Sequence, residues 1–225
     1  EDPKELEKQI KVPLIGMIGR NLAEDNIPVL TNPRSTVTES FRSLRADMSY
    51  LSPGSDSLSI LFTSSISGEG KTFVSINVAS VYALLGKKVI LIGLDLRKPK
   101  IAEDFNLPND VGMSTCLSTN TPWQNVVKST ENDHLDVILS GPIPPNPAEL
   151  LLQEKFGQIV KEIKEAYDVV IFDCPPVGLV SETKELFAFS DINFFVFRQG
   201  YSMKGNTQIL NNLVEKGGVS KIYGI

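Results

Sequence analysis

From residue 58 onward, short apolar runs alternate with longer segments whose hydrophobic positions recur at helical spacing. The runs 58–63, 89–94, 135–139, 167–172 and 192–197 are dominated by Val, Ile, Leu and Phe. Continuous apolar runs of this length mark strands covered on both faces, as inside a parallel sheet. Between them, 71–85, 147–166, 182–189 and 206–215 read as helices. The segment 71–85 is apolar almost all round, which predicts a helix buried against the sheet. Gly86-Lys87-Lys88 then turns the chain. Residues 222–225 read as one more strand, cut short, so the chain is expected to continue beyond it. Alternating strands and helices predict an α/β fold, a doubly wound and mostly parallel sheet with helices on both faces.

The pattern before residue 58 is less regular. Residues 1–11 read as a charged, frayed segment and 12–18 as a short apolar stretch. Asn21, Asn26, Pro28, Asn32 and Pro33 give 20–36 the chemistry of a loop. A helix is predicted from Thr38, which can cap it, and Phe41, Leu44, Met48 and Leu51 form its apolar stripe. Pro53-Gly54-Ser55-Asp56 ends that helix. The expected division is an N-terminal segment and loop, 1–36, packed on a domain formed by 37–225.

Composition narrows the function classes. With 225 residues, 41% hydrophobic and 22% charged, the chain can bury a core without staples. Its apolar runs fall well short of the roughly 18–20 residues of a membrane helix. The charged opening Glu1-Asp2-Pro3-Lys4 predicts no secretory leader. A net charge of −5 argues against nucleic acid as a partner, because such binding rests on phosphate neutralisation. Cys116 and Cys174 form no CxxC, which fits a reduced, cytosolic setting. The single histidine, His134, leaves no basis for a His-based metal site or a Ser-His-Asp triad and is read as structural or solvent-facing.

The segment Ser65-Ile66-Ser67-Gly68-Glu69-Gly70-Lys71-Thr72 joins the first of these strands to the buried helix. It fits the phosphate-loop pattern GxxxxGK[ST], except that Ser65 stands at the first glycine. Gly68 and Gly70 let backbone N–H groups turn inward as an anion nest, and the helix adds its positive N-terminal end. Lys71 can reach β- and γ-phosphates, and the Thr72 hydroxyl can ligate Mg²⁺. Ser67, Gly68, Glu69, Gly70, Lys71, Thr72 and Phe73 are therefore the candidate nucleotide contacts. Asp173 closes the strand before it in the manner of a Walker B acid, and Asp95 follows the run 89–94. Ligands of a doubly wound sheet gather outside the carboxyl ends of its strands, where both acids belong. Thr72, Asp95 and Asp173 are the candidate metal ligands, although strand-end aspartates also serve as caps and turn formers. Arg97, two residues past Asp95, is placed to meet phosphate or carboxylate, or to form a surface salt bridge. Lys71, Asp95, Asp173 and Arg97 are the candidate catalytic residues.

With these motifs the chain, from about Val12 to its end, resembles the bacterial tyrosine kinases, the capsule and exopolysaccharide co-polymerase kinases. Four elements carry the likeness: the loop Ser65 to Thr72; Asp95-Leu96-Arg97-Lys98-Pro99, similar to the family's second Walker-like motif; Phe172-Asp173-Cys174-Pro175-Pro176-Val177-Gly178, similar to its Walker B; and the proline-rich Gly141-Pro142-Ile143-Pro144-Pro145-Asn146-Pro147-Ala148-Glu149-Leu150. A fifth match is Glu39-x-x-Arg42-x-x-Arg45, three residues on one side of the early helix. In the family this pattern pairs neighbouring subunits in a ring. Read bare, it is a solvated face with an i,i+3 ion pair.

The resemblance implies a P-loop NTPase-like fold, ATP and Mg²⁺ as ligands, and tyrosine autophosphorylation between subunits that regulates capsular or exopolysaccharide synthesis and export. It implies as partners a ring of like chains exchanging tyrosine tails, a membrane co-polymerase segment or activator chain, and a cognate tyrosine phosphatase. It places the domain in the cytoplasm at the inner face of the bacterial plasma membrane. Asp95 would orient or deprotonate the tyrosine hydroxyl, or bind the metal. Two departures stand out. The family's second motif usually reads DxD, and here its first position is Gly93. Members usually end in a tyrosine cluster, whereas Tyr50, Tyr82, Tyr167, Tyr201 and Tyr223 are scattered, Tyr82 and Tyr167 being read as core. Gly93 keeps open a second function, a nucleotide-responsive assembly module with weak or no kinase activity. The partition and septum-site ATPases share this fold but carry a second lysine where this chain has Ile66, which argues against their mechanism.

Overall fold

A computed structural model describes residues 3–23, 25–52, 57–178, 183–217 and 219–225. In chain order the helices α1 (Pro3–Gln9), α2 (Pro28–Thr31) and α3 (Thr36–Ser49) precede strand β1 (Leu58–Ser64). There follow α4 (Lys71–Ala83), β2 (Val89–Gly93), α5 (Ile101–Asp104), α6 (Met113–Ser118), β3 (Val127–Ser129), β4 (Leu135–Ile138), α7 (Pro147–Leu151) and α8 (Glu154–Ala166). The chain closes with β5 (Val169–Asp173), α9 (Thr183–Leu186), β6 (Ile192–Val196), α10 (Lys204–Glu215) and β7 (Ile222–Gly224).

The strands form a seven-stranded sheet in the order β3-β4-β2-β5-β1-β6-β7. Every neighbouring pair is parallel except β3 with β4. Successive side chains of a strand point to opposite faces, and two apolar cores result. On one face, Ile90, Ile92, Val170 and Phe172 pack with Phe156, Ile159 and Ile163 of α8 and Leu210 of α10. On the other, Leu91, Ile171, Ile60 and Phe62 pack with α4 and with Phe41, Leu44 and Met48 of α3. Helices therefore cover both faces, as the alternating pattern predicts. Of α4, every residue from Lys71 to Ala83 but Phe73 is buried, which explains an apolar pattern with no polar side.

Several boundaries differ from those predicted. Residues 3–9 are helical rather than frayed, and just beyond them Ile10 and Val12 enter the first core. The cap of α3 is Ser35, not Thr38: its Oγ accepts from Thr38 N–H at 3.1 Å. Thr38 is buried instead, its hydroxyl 2.8 Å from the Asn32 carbonyl. The predicted helix 147–166 is broken where Gln153 adopts an extended φ/ψ and starts α8. The expected terminator Pro53-Gly54-Ser55-Asp56 lies outside the described residues, as does the start of the predicted helix 182–189. His134 is solvent-facing, and Tyr82 and Tyr167 are core residues, as expected.

Candidate functional site

Parallel strands end on one side of the sheet, so the segments after β1, β2, β4, β5 and β6 converge there. The loop between β1 and α4 turns through Gly68 (φ +93°) and Gly70 (φ +96°), both in the left-handed region that glycine enters without strain. A Cβ at Gly68 would also lie 2.6 Å from Tyr201 Oη, so a side chain there would displace Tyr201. Gly70 caps α4, so the first turn of that helix presents amides without acceptors inside it.

Lys71 opens α4 and its side chain is buried. Its Nζ lies 3.1 Å from Asp95 Oδ2 and 3.9 Å from Asp173 Oδ1. The Thr72 hydroxyl donates to Asp173 Oδ2 at 2.8 Å, and Asp95 Oδ1 accepts the Lys98 amide at 3.0 Å. The structure thus gathers Lys71, Thr72, Asp95 and Asp173 into one cluster from three strand ends. Burial alone pulls the Lys71 ammonium down, but Asp173 and Asp95 outweigh it and hold its pKa above the ordinary value. Complete burial pushes the Asp173 carboxyl up, against the opposing effect of Lys71 and Thr72. Burial and the Asp173 charge likewise raise the neighbouring Cys174 thiol, which favours its neutral form.

Asp173 Oδ1 is buried and, among the described residues, receives no hydrogen bond. An orphaned carboxylate oxygen inside a protein is costly. A hard divalent cation satisfies it, and the Thr72 hydroxyl beside it is a fitting second ligand. Among the described residues no group of three or more His, Cys, Asp or Glu forms a closed metal cage. Such a sparse donor set suits Mg²⁺, which takes one or two carboxylates and fills its shell with water and phosphate.

The other candidates lie outside that cluster. The Glu69 carboxylate is buried and faces the protein interior, where Ser65, Ile66, Ser202 and Asn206 surround it. Arg97 is exposed on the turn beyond Asp95. Glu39 and Arg42 pair with each other on α3 at 3.1 Å, and Arg45 is half-buried on the same helix. Gly93 aligns with Asp173 on the adjacent strand. A Cβ at position 93 would sit 2.9 Å from Ser140 Oγ, so a buried serine occupies the space of the missing side chain. Ser140 Oγ also lies 3.0 Å from the Gly93 carbonyl and 3.2 Å from that of Asp95. Sequence reading missed Ser140, Arg198, Tyr201, Ser202 and Asn206. The one signal available for Ser140 and Arg198 was their place just past strand ends.

Fold and loop together define a P-loop nucleotide-binding protein. A family model described as an AAA domain matches residues 59–221. The chain is 38% identical over 179 residues to the tyrosine-protein kinase YwqD of Bacillus subtilis, covering 80% of this chain and 76% of that protein. The kinase domain of the Escherichia coli tyrosine kinase ETK superposes with a TM-score of 0.90 at 26% identity, over 100% of this chain and 92% of that one. The chimerical protein CapA2B2 gives 0.89 at 32% identity, over 98% and 97%. The chain belongs to the bacterial tyrosine-protein kinases, as its motifs led one to expect.

Proposed function

We propose that this chain is an ATP-dependent protein tyrosine kinase domain that phosphorylates tyrosines of like chains and regulates capsular or exopolysaccharide synthesis and export. The observation that carries it is the buried cluster of Lys71, Thr72, Asp95 and Asp173 at the mouth of a glycine-hinged phosphate loop. Phosphoryl transfer needs positioning and charge neutralisation more than covalent catalysis. Loop amides and Lys71 hold the β- and γ-phosphates, and Thr72 and Asp173 hold Mg²⁺. Bound Mg²⁺ supplies charge neutralisation on the phosphates. Asp95 receives the hydrogen bond of the incoming tyrosine, whose free pKa is about 10, and takes its proton. The tyrosine oxygen bonds to the γ-phosphorus as the bond to the ADP oxygen breaks. A cavity of about 140 Å³ lined in part by Leu14, Ile18, Phe197, Met203 and Ile225 adjoins Arg198 at the loop and suits the base.

The proposed partners are a ring of like chains joined through Glu39, Arg42 and Arg45, a membrane co-polymerase segment or activator chain, and a tyrosine phosphatase. The Glu39–Arg42 pair within one chain must then open so that its members can pair with a neighbour. No helix among the described residues is long and apolar enough to cross a membrane, so attachment at the inner face of the plasma membrane falls to such a partner or segment.

The decisive measurement is phosphotyrosine formed from ATP by protein carrying a tyrosine-bearing tail. Lys71→Ala and Asp173→Ala are expected to abolish it, and undiminished labelling in either sinks the assignment. Gly93 favours a second reading, an assembly module set by nucleotide occupancy, since one carboxylate of the usual pair is absent. Phosphate incorporation and oligomer mass measured on the same samples separate the two.

A further inference from the structure

The phosphate loop departs from its pattern at Ser65, and it carries an acid, Glu69, whose side chain is only 2% exposed. These two features have one structural explanation. Glu69 Oε2 accepts from the Ser65 amide at 2.7 Å, the Ser65 hydroxyl at 2.7 Å and the Ile66 amide at 2.9 Å. Its Oε1 accepts from the Ser202 hydroxyl and from Asn206 Nδ2 at 3.0 Å. All five donors are neutral. They come from the loop's first residues, from the segment leading into α10 and from the first turn of that helix.

Each backbone amide of a buried loop needs an acceptor. The carbonyls of Ser64 and Ser65 take the amides of Val177 and Gly178, at 2.9 and 3.2 Å. The amides of Ser65 and Ile66 have Glu69. A glycine at position 65 would supply the amide but not the hydroxyl, which accounts for serine there. Hydrogen bonds to a carboxylate are shorter and stronger than neutral ones, so this acceptor fixes the loop's first two residues firmly. Two further contacts tie the middle of the loop to the same segment. Tyr201 Oη donates to the Ser67 carbonyl at 3.0 Å, and Arg198 Nη1 to the Gly68 carbonyl at 3.1 Å.

We propose that Glu69 is a positioning residue: its carboxylate clasps Ser65 and Ile66 to Ser202 and Asn206 and holds the phosphate loop in its anion-binding shape before nucleotide arrives. It touches no phosphate and acts through the backbone of the loop. The proposal rests on the nucleotide-binding reading given above. A preformed nest binds more tightly because the ordering cost is met in advance.

The test compares Glu69→Ala, Glu69→Gln and the pair Ser202→Ala/Asn206→Ala in the full chain. The first readout is exchange of the Ser65 and Ile66 amide protons without nucleotide, followed by NMR. The second is affinity for MgADP by calorimetry. Glu69→Ala is expected to lose protection at both amides and about tenfold in affinity. Glu69→Gln keeps an oxygen for the loop and an amide that Ser202 and the Asn206 carbonyl can accept. It is expected to retain protection and to bind within about threefold of the parent. The paired variant, remote from phosphate, is expected to fall between them. The clasp is refuted if Glu69→Ala keeps both amides protected and its affinity, or if Glu69→Gln is as impaired as Glu69→Ala. If the parent protein itself binds no MgADP, the nucleotide reading fails, while amide protection still decides the clasp.

Discussion

The pair Gly93 and Ser140 shows how one residue can dictate another across a sheet. Ser140 Oγ sits where a side chain at position 93 would grow, and Ile101 Cδ1 is 3.2 Å from the same point. Gly93→Ala alone is expected to cost about 1–3 kcal/mol, the usual penalty of overpacking a tight core. In a Ser140→Ala background the same substitution is expected to cost less, since the 2.9 Å contact is gone. Denaturant midpoints of the four proteins of this cycle provide the check, and equal costs in both backgrounds would refute the steric link. An acid introduced at position 93 therefore needs a smaller residue at 140 before it can join Asp95 and Asp173. The cluster's members were legible in the sequence because strand ends and the GEGKT signature place them. Ser140, Tyr201, Ser202 and Asn206 were not, because their partners in the site lie 45 to 137 residues away and no spacing rule joins them.

At the level of elements, the long and strongly patterned pieces were readable and the short ones were not. Strands β1, β2, β5 and β6 announce themselves as apolar runs because both faces are covered. β3 has three half-buried or exposed residues at the sheet border, so its sequence carries no such mark. The split of the predicted helix 147–166 escaped notice because Leu150, Leu151, Phe156, Ile159 and Ile163 are all buried and read as one continuous stripe. The start of α3 was misplaced by three residues since both Ser35 and Thr38 are competent caps by type. The structure chooses Ser35, and Thr38 becomes a buried tie to the loop before it. Ser35→Ala is expected to cost about 1 kcal/mol. In a chain of this size that lowers the melting temperature by roughly 2–4 °C. A thermal scan with no shift would show that the Ser35 hydroxyl does not stabilise α3.

For the molecule as a whole, the two cores set the response to alkaline conditions. Burial pushes the Tyr82 phenol from 10.0 up to about 12, with Arg45 pulling the other way. The folded pKa lies above the unfolded one, so this group's stabilisation is complete below pH 10 and fades as pH rises through about 12. That difference is worth on the order of 2–3 kcal/mol. Tyr82→Phe is expected to flatten the fall in urea midpoint between pH 10 and 12, and an unchanged slope would count against it. The phenol of Tyr167, raised by burial and by its 2.8 Å hydrogen bond to Asp136, keeps some slope in that variant.

Beyond β7 the sheet does not lie open. Ile15 N–H donates to the Gly224 carbonyl at 3.0 Å, and Gly224 N–H to the Pro13 carbonyl at 2.9 Å. Gly224 permits this approach, since a Cβ there would meet Ile10 and Leu14 at 3.1 Å. A bare strand margin is a template on which a stray chain can add itself. Residues 13–15 occupy that template from within. Trimming the chain to begin at residue 19 should therefore make it gather in clumps more readily than the untrimmed chain as concentration rises, a difference light scattering would register at once.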